Sequence, residues 1–415
     1  MMAIWVKRLR QVVRLVQQQG WRFAARQVVR RLRLGPSAAR RADVLGHYRF
    51  VLSRPRRALA SPDAAPPGTL HWFIPDFNAG SGGHLNIFRM IGHLQQRGYV
   101  SRIVIVNAQQ HPNAESAAAD IRRHFIDLDV PVHMGLEGLP PCEFAVATAW
   151  NTAYAVRDFS GAQRKLYFVQ DFEPYFYPMG SEWVLAENTY RMGFFGITAG
   201  GWLAQRLSRD YGMRTRPVGF GVELDRYRRL PRREPHVRRV FFYARPPTPR
   251  RAFELGLLVL HEVWRRMPQT NFVLAGWDTS NYDIPFPHLS AGTVPLNDLP
   301  DLYSQCDVAL VLSLTNLSLM PLELMACGCA VVSNRGPNVE WLLNDQVAVL
   351  AETTPEALAE AICAVLADDV RRDALIRRAE AFARALTWDA VADDFVAALL
   401  AARADANEAR DRCAA

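Results

Sequence analysis

Glu323 is the only charged residue between Val308 and Asn334. A carboxylate in so apolar a stretch is costly to bury unless something binds it, so Glu323 is a candidate ligand contact. The alternative is an ion pair with an arginine from elsewhere in the chain. Arg245, Arg250 and Arg251 follow the apolar run Arg238–Ala244, with Pro246, Pro247 and Pro249 stiffening the loop between them. Planar guanidinium forks match phosphate oxygens two at a time, which makes the trio a candidate pyrophosphate clamp; surface charge is the plainer reading. In the other half of the chain, Gly82 and Gly83 lie between the strand-like Leu70–Ile74 and the helical Leu85–Arg97, with His84 at the lip. Such a loop offers free backbone N–H groups to a phosphate or sugar, or it is only a tight turn. Asp76, Gln170, Asp171 and Glu173 fall just past two expected strands, where ligands bind in an open α/β sheet. The neighbouring rings of Phe172, Tyr175, Phe176 and Tyr177 suit the C–H face of a sugar, unless the loop simply packs.

Other chemistries fit poorly. A dinucleotide fingerprint would need glycine where Leu85 stands and an acid where Asn107 ends the second strand. Asp127-Leu128-Asp129 has the D-x-D form that can hold a divalent ion, but it precedes Val130-Pro131 with no glycine or histidine partner. It reads as a solvated loop, and no metal or other cofactor is expected. The six cysteines are scattered, and Cys327 and Cys329 without histidine company are poor metal ligands. They read as reduced core residues of a cytoplasmic protein.

To position such groups the chain must alternate strands and helices, and it does. Short apolar runs at Leu70–Ile74, Arg102–Val106, Glu143–Thr148, Lys165–Val169 and Phe194–Ala199 precede a second series at Arg238–Ala244, Asn271–Trp277, Val308–Leu312 and Cys329–Val332. Continuous apolar strands separated by helical segments predict parallel sheets covered on both faces. At 415 residues and 50% hydrophobic, the chain suffices for two such domains. The expected division is 1–65 extension and Pro-rich linker, 66–221 first domain, 222–385 second domain, and 386–415 a closing helix.

Charge is uneven. Residues 1–41 carry eleven Lys and Arg and no acid, so the net +8 of the whole chain becomes −3 beyond them. Trp5, Val12, Leu15, Trp21, Phe23, Val28 and Leu32 interleave with those charges in a helical rhythm, which predicts amphipathic helices on an anionic membrane surface. A helix docked on the protein body, or a nucleic-acid arm, is the competing reading; no nucleic acid is expected. No apolar run approaches the ~20 residues of a membrane span.

Phe272–Gly276, Gly292-Thr293-Val294-Pro295, Leu299–Tyr303, Cys306-Asp307-Val308 and Pro321–Gly328 together resemble the donor-binding domain of GT-B glycosyltransferases of family GT4. Of that family's Glu-x7-Glu motif, Glu323 matches the second glutamate and Thr315 stands at the first. Ile74–Phe77, Ser81–His84, Tyr167–Pro174 and Tyr243–Pro246 look like the rhamnosyltransferase WsaF group, and the likeness covers about residues 70–400.

The resemblance implies a GT-B fold: two Rossmann-like domains facing a central cleft, here with an N-terminal basic amphipathic helical extension. It implies a retaining transferase that moves a sugar, L-rhamnose from dTDP-L-rhamnose, onto a glycan or lipid-linked acceptor in surface polysaccharide biosynthesis. The place implied is the cytoplasmic, inner face of the membrane. Glu323 would bind ribose hydroxyls. The N–H groups of Leu319 and Met320, beyond a Ser318 cap, would hold the diphosphate with Arg245, Arg250 and Arg251. Backbone at Val294 and Pro295 would meet the base, and Gly82 and Gly83 would approach from the opposite domain. Asp171 would orient the acceptor hydroxyl or the sugar, with His84 and Asp76 assisting. A silent nucleotide-binding scaffold, suggested by Thr315, and a non-hydrolysing epimerase of the same fold remain as alternatives.

Overall fold

The computed structural model describes residues 43–52 and 64–414. The membrane-binding expectation for residues 1–41 and most of the linker therefore lie outside the described residues. Residues 43–52 form two single-turn helices, Val44–His47 and Arg49–Leu52; the Asp43 carboxylate caps the first by accepting the Gly46 N–H at 2.8 Å.

From Thr69 the chain builds two all-parallel sheets. The first contains β1 (Thr69–Pro75), β2 (Val100–Val106), β3 (Val132–Met134), β4 (Cys142–Ala147), β5 (Ala162–Val169), β6 (Phe195–Ala199) and β7 (Thr215–Val218), in the order β3-β2-β1-β4-β5-β6-β7. The second contains β8 (Arg239–Tyr243), β9 (Asn271–Ala275), β10 (His288–Gly292), β11 (Val308–Val311), β12 (Ala330–Asn334) and β13 (Val349–Ala351), in the order β10-β9-β8-β11-β12-β13. Every residue of β4, β6, β11 and β12 is buried, as expected of strands with helices on both faces. In register, Phe73 of β1 faces Val104 and Ala147, and Phe241 of β8 faces Val273 and Ala309. The strand order turns back beside β1 and beside β8, and at such a point a crevice opens past the carboxyl ends of the strands.

The apolar runs of the sequence correspond to these strands within a residue or three at each end. Four edge strands escape that reading because they lack an apolar run: β3 is only half-buried throughout, β7 buries one residue, β10 buries none, and β13 is three residues long. The helix after β1 spans Gly82–Gln96 and starts three residues before Leu85, because the two glycines already have helical geometry. Asp127 and Asp129 lie exposed in a loop. No helix among the described residues is long and apolar enough to cross a membrane.

The chain passes from the first sheet's domain to the second near Val222 and returns near Leu386. The two crossings touch: the Val222 N–H donates to the Leu386 carbonyl at 2.9 Å. A Cβ on Gly221 would come within 2.5 Å of the Trp388 nitrogen, so only glycine permits this approach. The last helix, Trp388–Ala414, then packs on the first domain. Its Phe395 ring lies 5.6 Å from Trp72 and 5.5 Å from Phe168, and burying that ring contributes about 2–3 kcal/mol. Arg97 bonds Asp393 at 2.8 Å, and Arg403 bonds Glu143 at 2.7 Å.

Candidate active site

Each expected site residue comes from the loop, or from the first turn of the helix, that follows the carboxyl end of a strand. After β1, the Asp76 carboxylate accepts the backbone N–H groups of Gln109, Gln110 and His111 at 2.6, 2.5 and 3.2 Å, and pairs with His111 Nδ1 at 2.5 Å. Burial pushes this carboxyl up, but the N–H of Gln110, the His111 ring and the other two N–H groups together hold it well below the usual carboxylate range. Asp76 thus ties the β1 loop to the β2 loop. A pocket of about 190 Å³ opens beside it, lined by Phe77, Asn78, Gln110, His111, Asp120 and His124 and away from the arginines described below.

The glycine loop leads into the helix Gly82–Gln96. Space around a Cβ on Gly82 is open, and the Gly83 carbonyl accepts from Gln170 Nε2 at 3.1 Å. Ser81 occupies the cap position without a capping bond; its hydroxyl lies 2.7 Å from His84 Nδ1 instead. His84 Nε2 lies 3.2 Å from the Pro75 carbonyl, which can only accept, so Nε2 carries the proton and Nδ1 accepts from Ser81. Burial lowers the His84 pKa against the opposing pull of the Pro75 carbonyl and Asp76. The ring is a neutral strut with both nitrogens engaged.

After β8, Arg245, Arg250 and Arg251 converge as the sequence predicts. Arg245 Nη1 donates to the Tyr243 hydroxyl at 2.9 Å, Arg251 Nη1 donates to Ser313 Oγ at 2.7 Å, and the Arg250 guanidinium lies 4.1 Å over the Phe176 ring. Arg250 Nε stands 3.5 Å from Asp171 Oδ2. Burial lowers the pKa of Arg250 and of Arg251; Asp171 opposes that, and the other arginines reinforce it. Asp171 is displaced upward by burial, with Arg251, Arg250, the Asn316 N–H and Thr315 pulling it back. Arg250 and Arg251 act on the Asp171 carboxylate, Arg245 acts on both of them, and Glu173 lies close enough to act on Arg250; three guanidinium groups against two carboxylates leave a net positive site, the electrostatic requirement for an anionic ligand.

The stretch after β11 divides its labour. Thr315 and Asn316 bond Asp171 of the other domain, at 2.9 Å from Thr315 Oγ1 and 2.8 Å from the Asn316 N–H. The following helix spans Met320–Ala326, with Leu319 at the cap position in place of the expected Ser318. The reason is local: the first backbone bonds of the helix end on the Leu319 carbonyl and not on that of Ser318, and Pro321, which has no N–H to donate, sits in the first turn. The Leu319 carbonyl accepts from Leu322 and Glu323. Glu323 lies one turn in, and burial raises its pKa to about 7. Arg89 and the Tyr227 hydroxyl, whose contact is too loose to count as a hydrogen bond, pull it back only part of the way, while Glu223 pushes it up. Arg89 commits its guanidinium to Glu223, at 2.8 and 2.7 Å. Val294 and Pro295 follow β10, Val294 half-buried and Pro295 exposed, with the Pro295 carbonyl accepting the Asp298 N–H at 3.0 Å.

Glu173 is buried and structural: it accepts the Trp150 N–H at 2.7 Å and the Tyr167 hydroxyl at 2.5 Å, and burial raises its pKa to about 7. Asn316, Arg89, Tyr227 and Trp341, whose Nε1 donates to Asn316 Oδ1 at 2.8 Å, were not singled out by sequence reasoning. The one signal available was Asn316, the only amide side chain between Val308 and Ser333. Among the described residues, no three His, Cys, Asp or Glu side chains converge to hold a metal ion.

Comparison with known proteins bears on the fold and the family. The C-terminal domain of WsaF matches residues 238–363, and its N-terminal domain matches residues 139–198. The O-antigen biosynthesis protein RfbC of Myxococcus xanthus is 34% identical over 384 residues; these are 83% of this chain but 29% of RfbC, so the chain spans under a third of that relative. Among solved structures, TarM of S. aureus superposes with a TM-score of 0.66 at 8% identity, covering 80% of this chain and 99% of TarM. HepE of Anabaena, crystallised with UDP and glucose, superposes at 0.62 with 15% identity over 80% and 99% of the two chains. Sucrose-phosphate synthase of Thermosynechococcus elongatus gives 0.60 at 14% identity over 80% and 99%. With two parallel sheets meeting at their carboxyl ends, the chain has the fold of the GT-B glycosyltransferases, and two of its segments are similar, in chain order, to the two WsaF domains.

Proposed function

We propose that the protein is a retaining glycosyltransferase that moves a sugar, L-rhamnose from dTDP-L-rhamnose, onto a glycan or lipid-linked acceptor in surface polysaccharide biosynthesis. The observation that carries this reading is the cluster of Arg245, Arg250 and Arg251 at the carboxyl end of β8, three cations against the two carboxylates of Asp171 and Glu173. The WsaF match supports the sugar, the names of HepE and its ligands support a nucleotide-sugar donor, and the RfbC match supports the pathway class.

In this reading the arginines grip the diphosphate, with the backbone at Ser318, Leu319 and Met320 beside it, and oppose the charge that grows on it as the anomeric bond breaks. Electrostatic stabilisation aimed at developing charge is usually the largest catalytic contribution. Glu323 accepts from the one free hydroxyl of the dTDP deoxyribose, and Val294 and Pro295 meet the base. Asp171 orients the sugar or the incoming hydroxyl, while Asp76 and His84 hold the lip at Gly82 and Gly83 in shape. Same-face attack, with the leaving phosphate taking the acceptor's proton, requires no further nucleophile and no metal.

Thermal-shift titration with dTDP-L-rhamnose, UDP-glucose and their free nucleotides tests the donor, followed by NMR of the anomeric proton in the product. The expected result is stabilisation by the dTDP sugar and a retained anomeric configuration; no stabilisation by any nucleotide sugar ends the reading, and turnover without acceptor replaces it with an epimerase. Residues 1–41 are proposed to place the enzyme on the inner membrane face. Equal binding of full-length protein and a chain lacking 1–41 to anionic liposomes refutes that placement.

A further inference from the structure

Asp171 belongs to the first domain, yet most of its partners belong to the second. Thr315 Oγ1 donates to Oδ2 at 2.9 Å, the Asn316 N–H donates to Oδ1 at 2.8 Å, and Arg250 Nε stands 3.5 Å from Oδ2; only the Phe172 N–H, at 2.8 Å, is local. Asn316 completes the seam. Its Nδ2 donates across the domain boundary to the carbonyls of Gln170 and Ala199 at 3.0 and 2.8 Å, and its Oδ1 accepts from Trp341 Nε1 at 2.8 Å. Thr315 and Asn316 are 2% and 1% exposed, so these bonds are made away from water. Buried polar groups this fully bonded fix one arrangement and penalise others.

Thr315 therefore marks more than the loss of an acid. A glutamate there would bring a second carboxylate against Asp171 in a buried site, where one of two neighbouring acids must stay protonated. The negative charge absent from position 315 is present 2.9 Å away, on a side chain from the opposite domain.

We propose that Thr315 and Asp171 are a matched pair: the acid of the donor site is supplied by the first domain, positioned by Thr315 and Asn316 of the second, and the site is complete only with the two domains closed. This rests on the donor-site reading above. It makes Thr315 and Asn316 positioning residues and ties nucleotide binding to closure.

The test is a cycle of Thr315→Glu, Asp171→Asn and the double variant, read by melting temperature and by calorimetry with dTDP. Thr315→Glu alone is expected to lower the melting temperature and weaken dTDP binding about tenfold. Adding Asp171→Asn should recover at least part of both losses, since one carboxylate then remains. Losses that simply add overturn the pair. If Thr315→Glu does not fold, Thr315→Val removes only the hydroxyl, and Thr315→Ser restores it. The expected pattern is a several-fold fall in kcat for Thr315→Val with little change in melting temperature, and recovery in Thr315→Ser; a Thr315→Val enzyme with wild-type kcat overturns the proposal. Coupled melting temperatures without dTDP binding by the wild type would sink the donor reading and, with it, the donor role of the pair. Additive melting temperatures with normal dTDP binding would sink the pair alone.

Discussion

Asp76 and Glu323 are both half-buried acids beyond the carboxyl ends of parallel strands, one in each domain, and they are handled in opposite ways. Asp76 is met by three backbone N–H groups and a histidine, and its carboxyl is held well below the usual range. Glu323 has the charge of Arg89 and one loose tyrosine hydroxyl, and burial leaves it titrating at about 7. An acid whose oxygens are filled by its own chain is part of the frame. An acid left short of partners in a cleft is a place for a ligand. The comparison moves Asp76 from chemistry to architecture and strengthens the case for Glu323.

Three experiments can break or sharpen that contrast. The largest effect is expected from Asp76→Ala, which strands three backbone donors and His111: about 3–5 kcal/mol of stability lost in urea denaturation, with nucleotide affinity retained by the folded fraction. Loss of nucleotide binding without loss of stability would reverse the assignment. Glu323→Ala should do the opposite, leaving stability near wild type and costing about 1.5–3 kcal/mol of donor binding in calorimetry. Unchanged donor affinity would remove Glu323 from the site. The smallest and most diagnostic effect is the pH dependence. The folded Glu323 carboxyl titrates near 7 and the unfolded one near 4.5, so the folded protein holds an extra proton between those values and its ligand-free stability falls as pH rises through about 7. A donor that hydrogen-bonds the carboxylate favours the ionised form, so its affinity should rise over the same window, and Glu323→Gln should flatten both trends. Asp76 has the opposite sign: its contribution is present above the unfolded value of 3.8 and is lost as pH falls below it. Parallel pH slopes for the two variants would dissolve the distinction.

Much of the frame was legible in the sequence because parallel strands buried on both faces announce themselves as apolar runs, and β1, β5, β8 and β11 did so. Glu323 was legible for the same reason, as the lone charge in such a run. The role of Asp76 was not, since its donors lie 33 to 35 residues away on another loop. Asp171 was found by its place after β5, but its partners are 144 and 145 residues distant in the other domain, and no local pattern encodes them. The Ser318 cap failed on a smaller scale. Serine is a good cap by type, yet the helix begins one residue later because its first backbone bonds, from Leu322 and Glu323, end on the Leu319 carbonyl.

The paired crossings at Gly221–Val222 and Leu386–Trp388 have a mechanical consequence. Two tethers bonded side by side act as the pin of a pair of scissors: they resist sliding and leave rotation about one point as the soft motion. The blades are the two sets of strand ends, and the bonds from Asn316 to Gln170 and Ala199 lie where the blades meet. A methyl group added at Gly221 would wedge the pin, since it would stand 2.5 Å from the Trp388 nitrogen, and the same small displacement would be magnified at the cutting edge.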